Sequence, residues 1–230
     1  MKQIVIASNM LNEIDQVESW YANMTQIADA GIVIVDTGST DGTIEFFKGK
    51  ENVVLIIDNT IQREGYGNAR NQLMELSREH FPEAHWMAFF DADERINPSE
   101  FHRFRHIKDY LVDTFDVVAF PRIDWMDNEM SASAKDYHTQ PDYQARMVRL
   151  NSTAKYVRKL HEQIQGHRGI YADLQTPKIN HFHRSAGQKK RDAIGKVCAK
   201  LHSEDTEYGH TYPEHHKEAQ YREMIEREGL

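Results

Sequence analysis

The sequence predicts an α/β fold built on a doubly wound, mostly parallel β-sheet, with a helical C-terminal extension. Strand-like apolar runs alternate with helix-like segments over the first half of the chain, and the connections between them are short. One run, 86–90, is apolar throughout, which is typical of a strand buried on both faces. Polar loops follow the strands, and ligands bind at that edge of such sheets.

The elements of the first half follow from this alternation. Strands are predicted at 4–7, 31–35, 53–57 and 86–90, and helices at about 14–28, 43–48 and 68–80. Polar loops at 8–13, 36–43 and 59–67 follow the first three strands, and the second loop is rich in turn and capping residues. We expect these loops to converge on one cleft.

After Glu94 the pattern changes. Pro98 opens a predicted helix that runs to about Val112, because proline is tolerated in the first turn of a helix. Further strands are predicted at 117–120, 143–150 and 179–183, and a charged helical stretch at 186–230. The polar stretch 124–140 is predicted to be a long loop, and loops of that length in compact domains are usually lids or binding loops.

Composition limits the class of protein. The 230 residues include 36 acidic and 28 basic side chains, and a net charge of -8 argues weakly against a chain built mainly for nucleic acid or anionic membranes. The one cysteine, Cys198, excludes an internal disulfide and favours a reducing, cytoplasmic compartment. No apolar run approaches the roughly 20 residues of a membrane span, and we expect no signal peptide.

Asp91 and Asp93 follow the apolar run directly. Strand side chains two residues apart point the same way, so we expect both carboxylates to share one small space. Like charges that close would raise one pKa unless a cation lies between them, and a divalent metal with its phosphates suits such a site. The alternative is that these aspartates cap the helix near Pro98, since this short motif often occurs by chance.

Four stretches together resemble a known family. They are Asn12-Glu13; residues 34–43; residues 67–71 with 90–94; and residues 146–150 with 160–162. In this order and spacing the sequence resembles the inverting nucleotide-sugar glycosyltransferases of family 2, which have the GT-A fold. The last stretch is similar to the branch that includes lipopolysaccharide core sugar transferases. The resemblance covers residues 3 to about 183 and leaves the 124–140 loop and the C-terminal helices without a counterpart.

The resemblance implies a domain at 1–183 and a charged helical extension at 184–230. Within the domain, 1–95 would be the nucleotide-binding half and 96–183 the acceptor half. It also implies that the chain moves a sugar from a nucleotide-sugar, of which a UDP-sugar is the expected form, to an acceptor hydroxyl.

The resemblance assigns the nucleotide-sugar to residues of the first half. Asn12 and Glu13 would face the ribose or base, although Glu13 also suits the start of its own helix. Asp36 would accept a hydrogen bond from uracil; its alternative role is a helix cap, for which Asp41 is better placed. Arg70 would contact the diphosphate or base, the alternative being a solvated helix charge.

The family also implies a metal. Asp93 would bind it directly, and Asp91 would contact the ribose or a metal-bound water. A histidine from the last core strand often completes the site; His181 fits best, and His183 is the reserve because it shares the same face. One imidazole beside carboxylate oxygens favours Mn²⁺, with Mg²⁺ as the alternative.

Glu162 is the candidate catalytic base. Inverting transfer is a direct displacement at the anomeric carbon, so the acceptor hydroxyl must lose its proton to a positioned group. The metal would stabilise the leaving diphosphate. The alternative for Glu162 is a surface salt bridge, and His161 would only orient the loop.

The acceptor is not identified by any motif. The candidates are a glycan, a lipid-linked sugar, a protein or a modified nucleic-acid base. A basic run after the core could grip a phosphorylated acceptor, although a solvated helix face is the commoner outcome; it comprises Lys189, Lys190, Arg191, Lys196 and Lys200. The C-terminal helices could also pair two copies of the chain.

Two other classes of function fit parts of the pattern. A nucleotidyltransferase also pairs carboxylates with a metal, but it usually begins with a glycine-rich, lysine-containing loop, and residues 8–13 contain neither residue. A nucleotide-sugar-binding protein without catalysis is the other possibility. Against it, every carboxylate that the reaction needs is present.

Overall fold

The computed structural model describes residues 2–111, 113–126, 129–130, 133, 142–182 and 188–205, with the side chains of 192 and 194–205 in the last segment. Several predictions lie outside the described residues. They concern His183, the side chains of Lys189, Lys190 and Arg191, most of the 124–140 loop, and the stretch 206–230.

Eleven strands form within the described residues. They are β1 (Ile4–Met10), β2 (Gly31–Asp36), β3 (Val53–Ile57), β4 (Trp86–Phe89), β5 (Glu94–Ile96), β6 (Phe115–Asp124), β7 (Asp142–Arg149), β8 (Lys155–Val157), β9 (Gln163–Gln165), β10 (Ile170–Asp173) and β11 (Ile179–His181). Nine of them form one sheet in the order β3-β2-β1-β4-β7-β6-β11-β5, with β10 beside β6, while β8 and β9 form a separate hairpin.

The main sheet is mostly parallel, as predicted. The β1/β2, β2/β3, β1/β4, β6/β10 and β6/β11 pairs are parallel. The β4/β7, β6/β7 and β5/β11 pairs are antiparallel. The β4/β7 pair joins strands from the two predicted halves of the domain, so both halves contribute to one continuous sheet.

Six helices are described: α1 (Ile14–Met24), α2 (Thr43–Phe47), α3 (Thr60–Glu64), α4 (Tyr66–His80), α5 (Phe101–Tyr110) and α6 (Gln188–Glu204). No helix in these described parts of the chain has the length and apolarity to cross a bilayer. Helix α6 lies within the stretch predicted to be helical.

Two predictions about helices need correction. The stretch 59–67 is not all loop, because residues 60–64 form α3. The Arg63 side chain of this helix donates to Asp58 at 2.7 Å. The helix ends just before Gly65, which has φ +89°. The helix predicted from Pro98 begins at Phe101, after a single 3₁₀ turn that Asn97 caps by accepting from the Ser99 N–H. Capping of this helix by the two aspartates is therefore wrong, since β5 and Asn97 lie between.

The core lies on both faces of the sheet. In β4 and the residue after it, Trp86, Ala88 and Phe90 pack on one face against the side of α1 and α5. Met87 and Phe89 pack on the other face with Leu73 of α4. All five β4-run residues are at most 2 % exposed, which confirms a strand buried on both sides. This packing fixes the position at which the chain leaves β4, and Asp91 and Asp93 follow there.

Candidate active site

Polar side chains tie together the loops that follow β1 and β2. The Asn12 N–H donates to Ser39 Oγ at 2.7 Å, and Asn12 Oδ1 accepts from the Thr40 N–H at 2.9 Å. The Glu13 N–H donates to Thr43 Oγ1 at 2.8 Å. Asp41 accepts from the N–H of Thr43, the first residue of α2, at 3.0 Å, although the N-cap of that helix is Gly42 and not the predicted Asp41. The two loops therefore form one preorganised unit at the carboxyl edge of the sheet.

Asp36 is the internal anchor of this unit. Its side chain is fully buried, and one oxygen accepts from the N–H groups of Gly38 and Ser39 at 2.9 and 2.7 Å. The other oxygen accepts from the Ser39 hydroxyl at 2.7 Å. The structure thus places Asp36 where it shapes the loop, with three hydrogen bonds already made.

Asp91 is paired with an arginine that the sequence reading left without a role. Arg146 Nη2 donates to Asp91 at 2.6 Å and to Glu94 at 2.5 Å, and both Arg146 and Glu94 are buried. Burial raises the pKa of Asp91, but Arg146, and then Arg70, outweigh it and hold that pKa below its usual value. For Glu94 burial dominates, and its pKa is raised despite Arg146. The cation expected beside Asp91 is thus supplied by the protein itself.

The loop carrying Asp91 and Asp93 is fastened to α1. Trp20 Nε1 donates to the carbonyl of Asp91 at 3.0 Å, and Arg95 Nη2 donates to Ser19 Oγ at 2.7 Å. Burial lowers the pKa of Arg95 to about 10 against the opposing charges of Asp93 and Glu13. Arg95 therefore lies within electrostatic reach of both carboxylates, which links the β1 loop to the β4 loop.

Asp93, His181 and Asp124 form a chain of three side chains. His181 Nε2 lies 3.5 Å from Asp93 Oδ2, and its Nδ1 lies 2.5 Å from Asp124 Oδ1. Burial lowers the pKa of His181, but the hydrogen bonds to Asp124 and Asp93 outweigh it and raise that pKa to about 10. The sequence reading assigned no role to Asp124, the last residue of β6.

Asp93 and His181 could hold a metal ion together. Among the residues that the structure describes, no group of three His, Cys, Asp or Glu side chains is arranged around one point. Two protein ligands are nonetheless typical of a hard cation that is completed by phosphate oxygens and water. A histidine that donates its other ring N–H to a carboxylate is also typical of metal sites. Once a cation displaces the Nε2 proton of His181, the donor set therefore fits a divalent cation bound with a diphosphate.

Arg70 and Glu162 form a buried ion pair. Arg70 Nη2 contacts Glu162 Oε1, and the two side chains are 10 % and 11 % exposed. The Arg70 guanidinium lies 4.1 Å from the ring centroid of Phe89, and that of Arg146 lies 5.0 Å from the same centroid. Phe89 therefore has two arginines against it, one paired with Glu162 and the other with Asp91. Arg70 is therefore not a solvated helix charge, and Glu162 does form a salt bridge, as its alternative role predicted, but away from the surface.

Close backbone packing brings Glu162 to this position. The N–H groups of Tyr66 and Gly67 donate to the carbonyls of Lys159 and Arg158 at 2.8 and 3.1 Å. A Cβ atom added at Gly67 would lie 2.4 Å from the Arg158 carbonyl oxygen, so only glycine allows this approach. The start of α4 and the segment before Glu162 are thereby held together.

The structure thus brings the predicted residues into two neighbouring groups. Arg70, Asp91, Asp93, Glu162 and His181 belong to one cluster, in which the Asp91 carboxyl senses Arg70, Asp93 and His181. Asn12, Glu13 and Asp36 form the loops after β1 and β2, one and two strands away from β4.

Three residues in the cluster were assigned no role from the sequence: Glu94, Asp124 and Arg146. Glu94 and Arg146 lay in the stretches that carried the resemblance, so a signal was available for them. Nothing distinguished Asp124, because its partner His181 is remote in the sequence.

Two surface clefts lie away from the cluster. One, of about 470 Å³, lies beside α3, α4 and β8. The other, of about 640 Å³, is lined by Asp116, Arg149 and Arg168, among others. Neither is lined by a predicted site residue, so we assign the site by its chemistry.

Solved structures share the overall fold at low sequence identity. The chain matches S. aureus TarS with a TM-score of 0.51 at 14 % identity, covering 87 % of this chain and 39 % of TarS. It matches glucosyl-3-phosphoglycerate synthase from Mycobacterium tuberculosis, solved with Mn²⁺, UDP and phosphoglyceric acid, with a TM-score of 0.53 at 15 % identity. That match covers 89 % of this chain and 79 % of the synthase. The chain thus spans well under half of TarS.

The structural matches show only the fold, and the family is shown by a sequence profile. No curated protein sequence matches the chain. The sequence profile described as glycosyl transferase family 2 matches residues 17–157, which include β2–β4, α4 and Asp91–Arg146. The match spans more than half of the chain and agrees with the mostly parallel α/β sheet of the GT-A fold. The chain therefore belongs to glycosyl transferase family 2 and is a glycosyltransferase.

Proposed function

We propose that this glycosyltransferase moves a sugar from a UDP-sugar to an acceptor hydroxyl, with a divalent metal and with inversion at the anomeric carbon. The observation that carries the proposal is the arrangement around Phe89. The Arg70 and Arg146 guanidinium groups lie 4.1 and 5.0 Å from the ring centroid, and Arg70 is paired with Glu162 and Arg146 with Asp91. A carboxylate suited to the donor and a carboxylate suited to the acceptor are thus held in one cluster by two buried arginines.

The donor side rests on Asp91 and on the loops after β1 and β2. Arg146 holds the pKa of Asp91 low, so this carboxylate stays ionised and can accept hydrogen bonds from a ribose. Asn12 and Glu13 lie in the loop unit at the adjacent strand end. Reading of uracil by Asp36 stays a prediction, because that carboxylate is buried and already accepts three hydrogen bonds. The fold shared with a synthase solved with UDP favours a uridine nucleotide.

The metal side rests on Asp93 and His181. These two side chains would hold a divalent cation, of which Mn²⁺ is favoured by the single imidazole, with Mg²⁺ as the alternative. A bound cation would supply positive charge for the leaving diphosphate. Asp124 orients the His181 ring, and Arg95 fixes the loop that presents Asp93.

Glu162 would take the proton of the acceptor hydroxyl. Its carboxylate is held by Arg70 and lies largely out of solvent, which keeps it in one orientation. Direct attack by the deprotonated hydroxyl on the anomeric carbon inverts the configuration, and the sugar–phosphate bond breaks with its electron pair on the diphosphate. No covalent intermediate on Glu162 is required.

The class of acceptor is proposed from the sequence resemblance. We keep the resemblance to lipopolysaccharide core sugar transferases as a proposal, because it rests on residues 146–150 and 160–162 alone. A sugar hydroxyl of a glycan or lipid-linked glycan is the acceptor that this resemblance implies. Family membership sets aside a nucleotidyltransferase.

Calorimetry with UDP tests the donor and metal assignments. UDP should bind in MnCl₂, and much more weakly after chelation or in Asp93→Ala. Asp109→Ala is a matched control, because Asp109 also lies beside a histidine, at 2.9 Å from His106, but on the exposed face of α5. Unchanged UDP affinity in the presence of chelator, or in Asp93→Ala, would contradict the metal assignment.

A further inference from the structure

Helix α6 packs directly on the segment that carries Glu162. Leu201 of α6 is fully buried with Leu160, Ile61 and Ala69, and Val197 and Cys198 pack against the same cluster. Leu160 lies two residues before Glu162, and Ala69 lies next to Arg70 on α4. Both members of the Arg70–Glu162 pair are therefore adjacent in sequence to residues that α6 covers. The family match ends at residue 157, so Leu160 and α6 lie outside the matched region.

A buried ion pair joins the residue that follows α6 to the same segment. Arg158 Nε lies 3.2 Å from Asp205 Oδ2, and the side chains are only 9 % and 6 % exposed. The neighbouring Lys159–Glu204 pair, at 2.9 Å, is 36 % exposed on both sides. An exposed pair contributes little, whereas removing one partner of a buried pair leaves the other charge uncompensated. Of these two ion pairs, we therefore expect Arg158–Asp205 to contribute more to holding the segment 158–162 in place.

The backbone before Glu162 is in a conformation that needs support. Arg158 has φ +78° and His161 has φ +53°, both in the left-handed region that non-glycine residues rarely adopt. Such residues persist only where the surrounding structure holds them in place. The support for Arg158 comes from Gly67 on one side and from Asp205 on the other.

We propose that α6 positions Glu162 for catalysis, with Asp205 as the positioning residue. Asp205 forms an ion pair with Arg158. The carbonyls of Arg158 and Lys159 accept hydrogen bonds from the start of α4. These contacts fix the segment 158–162, so that Glu162 pairs with Arg70. This rests on the proposed role of Glu162 as base, and it extends the site beyond the region shared with the family. Asp205 touches no substrate in this scheme and acts only through the segment 158–162.

The test compares Asp205→Asn with Glu204→Gln, which removes a carboxylate from the preceding residue. Three quantities are measured: hydrogen exchange of the Tyr66 and Gly67 amides, hydrolysis of UDP-glucose, and UDP affinity in MnCl₂. Asp205→Asn should speed exchange of these amides and lower kcat, each at least tenfold, while the UDP Kd changes less than about twofold. Glu204→Gln should leave all three near wild type. Asp205→Glu, which keeps the charge, should recover part of kcat.

The outcomes separate this inference from the proposed function. Wild-type exchange in Asp205→Asn, or faster exchange with unchanged kcat, overturns the positioning role. Full turnover in Glu162→Gln instead overturns the role of Glu162 itself, whatever Asp205 does. If Asp205→Asn does not fold, Arg158→Lys replaces it in the same comparison, since it keeps the charge but removes the Nε contact.

Discussion

His181 lies between two carboxylates, with Nδ1 at 2.5 Å from Asp124 and Nε2 at 3.5 Å from Asp93. The contact to Asp124 is the shorter of the two, and Asp124 is buried, at 8 % exposed. The ring is thus oriented by Asp124 and directed at Asp93. This geometry explains how one histidine at the end of β11 can serve a site built on the loop after β4.

Asp124→Asn should weaken metal binding without removing a ligand. An amide cannot supply the charge that orients and polarises the ring, and loss of such an outer partner typically costs about 10–100-fold in metal affinity. The measurement is Mn²⁺ affinity in the presence of UDP, by calorimetry. Asp109→Asn, which alters the exposed His106–Asp109 pair, is the control. Wild-type Mn²⁺ affinity in Asp124→Asn would remove Asp124 from the site.

Arg146→Met should destabilise the fold. The substitution leaves Glu94 and Asp91 without their common partner, and breaking a buried ion pair in this way costs about 3–5 kcal/mol. The free energy of unfolding in urea measures the effect. Adding Glu94→Gln should recover part of the loss, because the uncompensated charge is removed. Arg63→Met, at an exposed arginine paired with Asp58, should change stability little. A small effect of Arg146→Met would show that the two carboxylates do not depend on it.

Gly67→Ala should separate α4 from the segment before Glu162. The added methyl group would lie 2.4 Å from a backbone oxygen, which cannot move as a side-chain tip can. We expect weaker protection of the amides of residues 66 and 67, which donate to the Lys159 and Arg158 carbonyls, and a kcat at least tenfold lower, measured by hydrogen exchange and turnover. Asn68→Ala, at the next and exposed position of the same helix, is the control. Normal protection in Gly67→Ala would mean that the backbone contact is not needed.

Acid should release a structural contact at Asp116. Burial raises the pKa of this carboxyl, but N–H donation from Gly169 and the side chain of Arg149 outweigh it and hold the pKa below 3.8. A lowered folded-state pKa means that the stabilisation is complete above about pH 4 and is lost as the pH falls through the folded value. Asp116→Asn should cost about 1–3 kcal/mol at pH 7.

Urea unfolding at several pH values tests this. The difference between wild type and Asp116→Asn should shrink as the pH falls below about 4. Asp113→Asn, at an exposed aspartate in the turn before β6 that pairs with Lys2, should change the profile much less, because an exposed pair contributes little. A difference that stays constant down to pH 3 would contradict the assignment.

The sequence predicted the fold well where burial is simple. The 86–90 run indicated a two-sided core strand because every side chain there is apolar, and β4 and its two packed faces agree. Helix α3 was missed because flanking glycines suggested a loop, while its stabilising contacts from Arg63 are local polar bonds. Periodicity does not detect such short elements.

The sequence indicates which residues belong to the candidate site, but it does not indicate which of them pair with one another. Arg70, Asp91, Asp93, Glu162 and His181 were named from motifs and lie in one cluster. Their partners were not predicted, because ion pairs such as Arg146–Asp91 join residues remote in sequence. For Asp36 the sequence leaves two roles open, because a carboxylate at a strand end can bind a ligand or stabilise its own loop. The hydrogen bonds in the structure show that it stabilises its loop.

The central claim is that Glu162 acts as general base in an inverting transfer, and hydrolysis of UDP-glucose followed by NMR tests it most directly. Water then serves as the acceptor, so the natural acceptor need not be known. The α-linked donor should first release β-glucose, identified by its H1–H2 coupling before mutarotation. Glu162→Gln should slow this reaction about 10²–10⁴-fold while the UDP affinity stays near wild type. Wild-type turnover in Glu162→Gln, or α-glucose as the first product, would contradict the account.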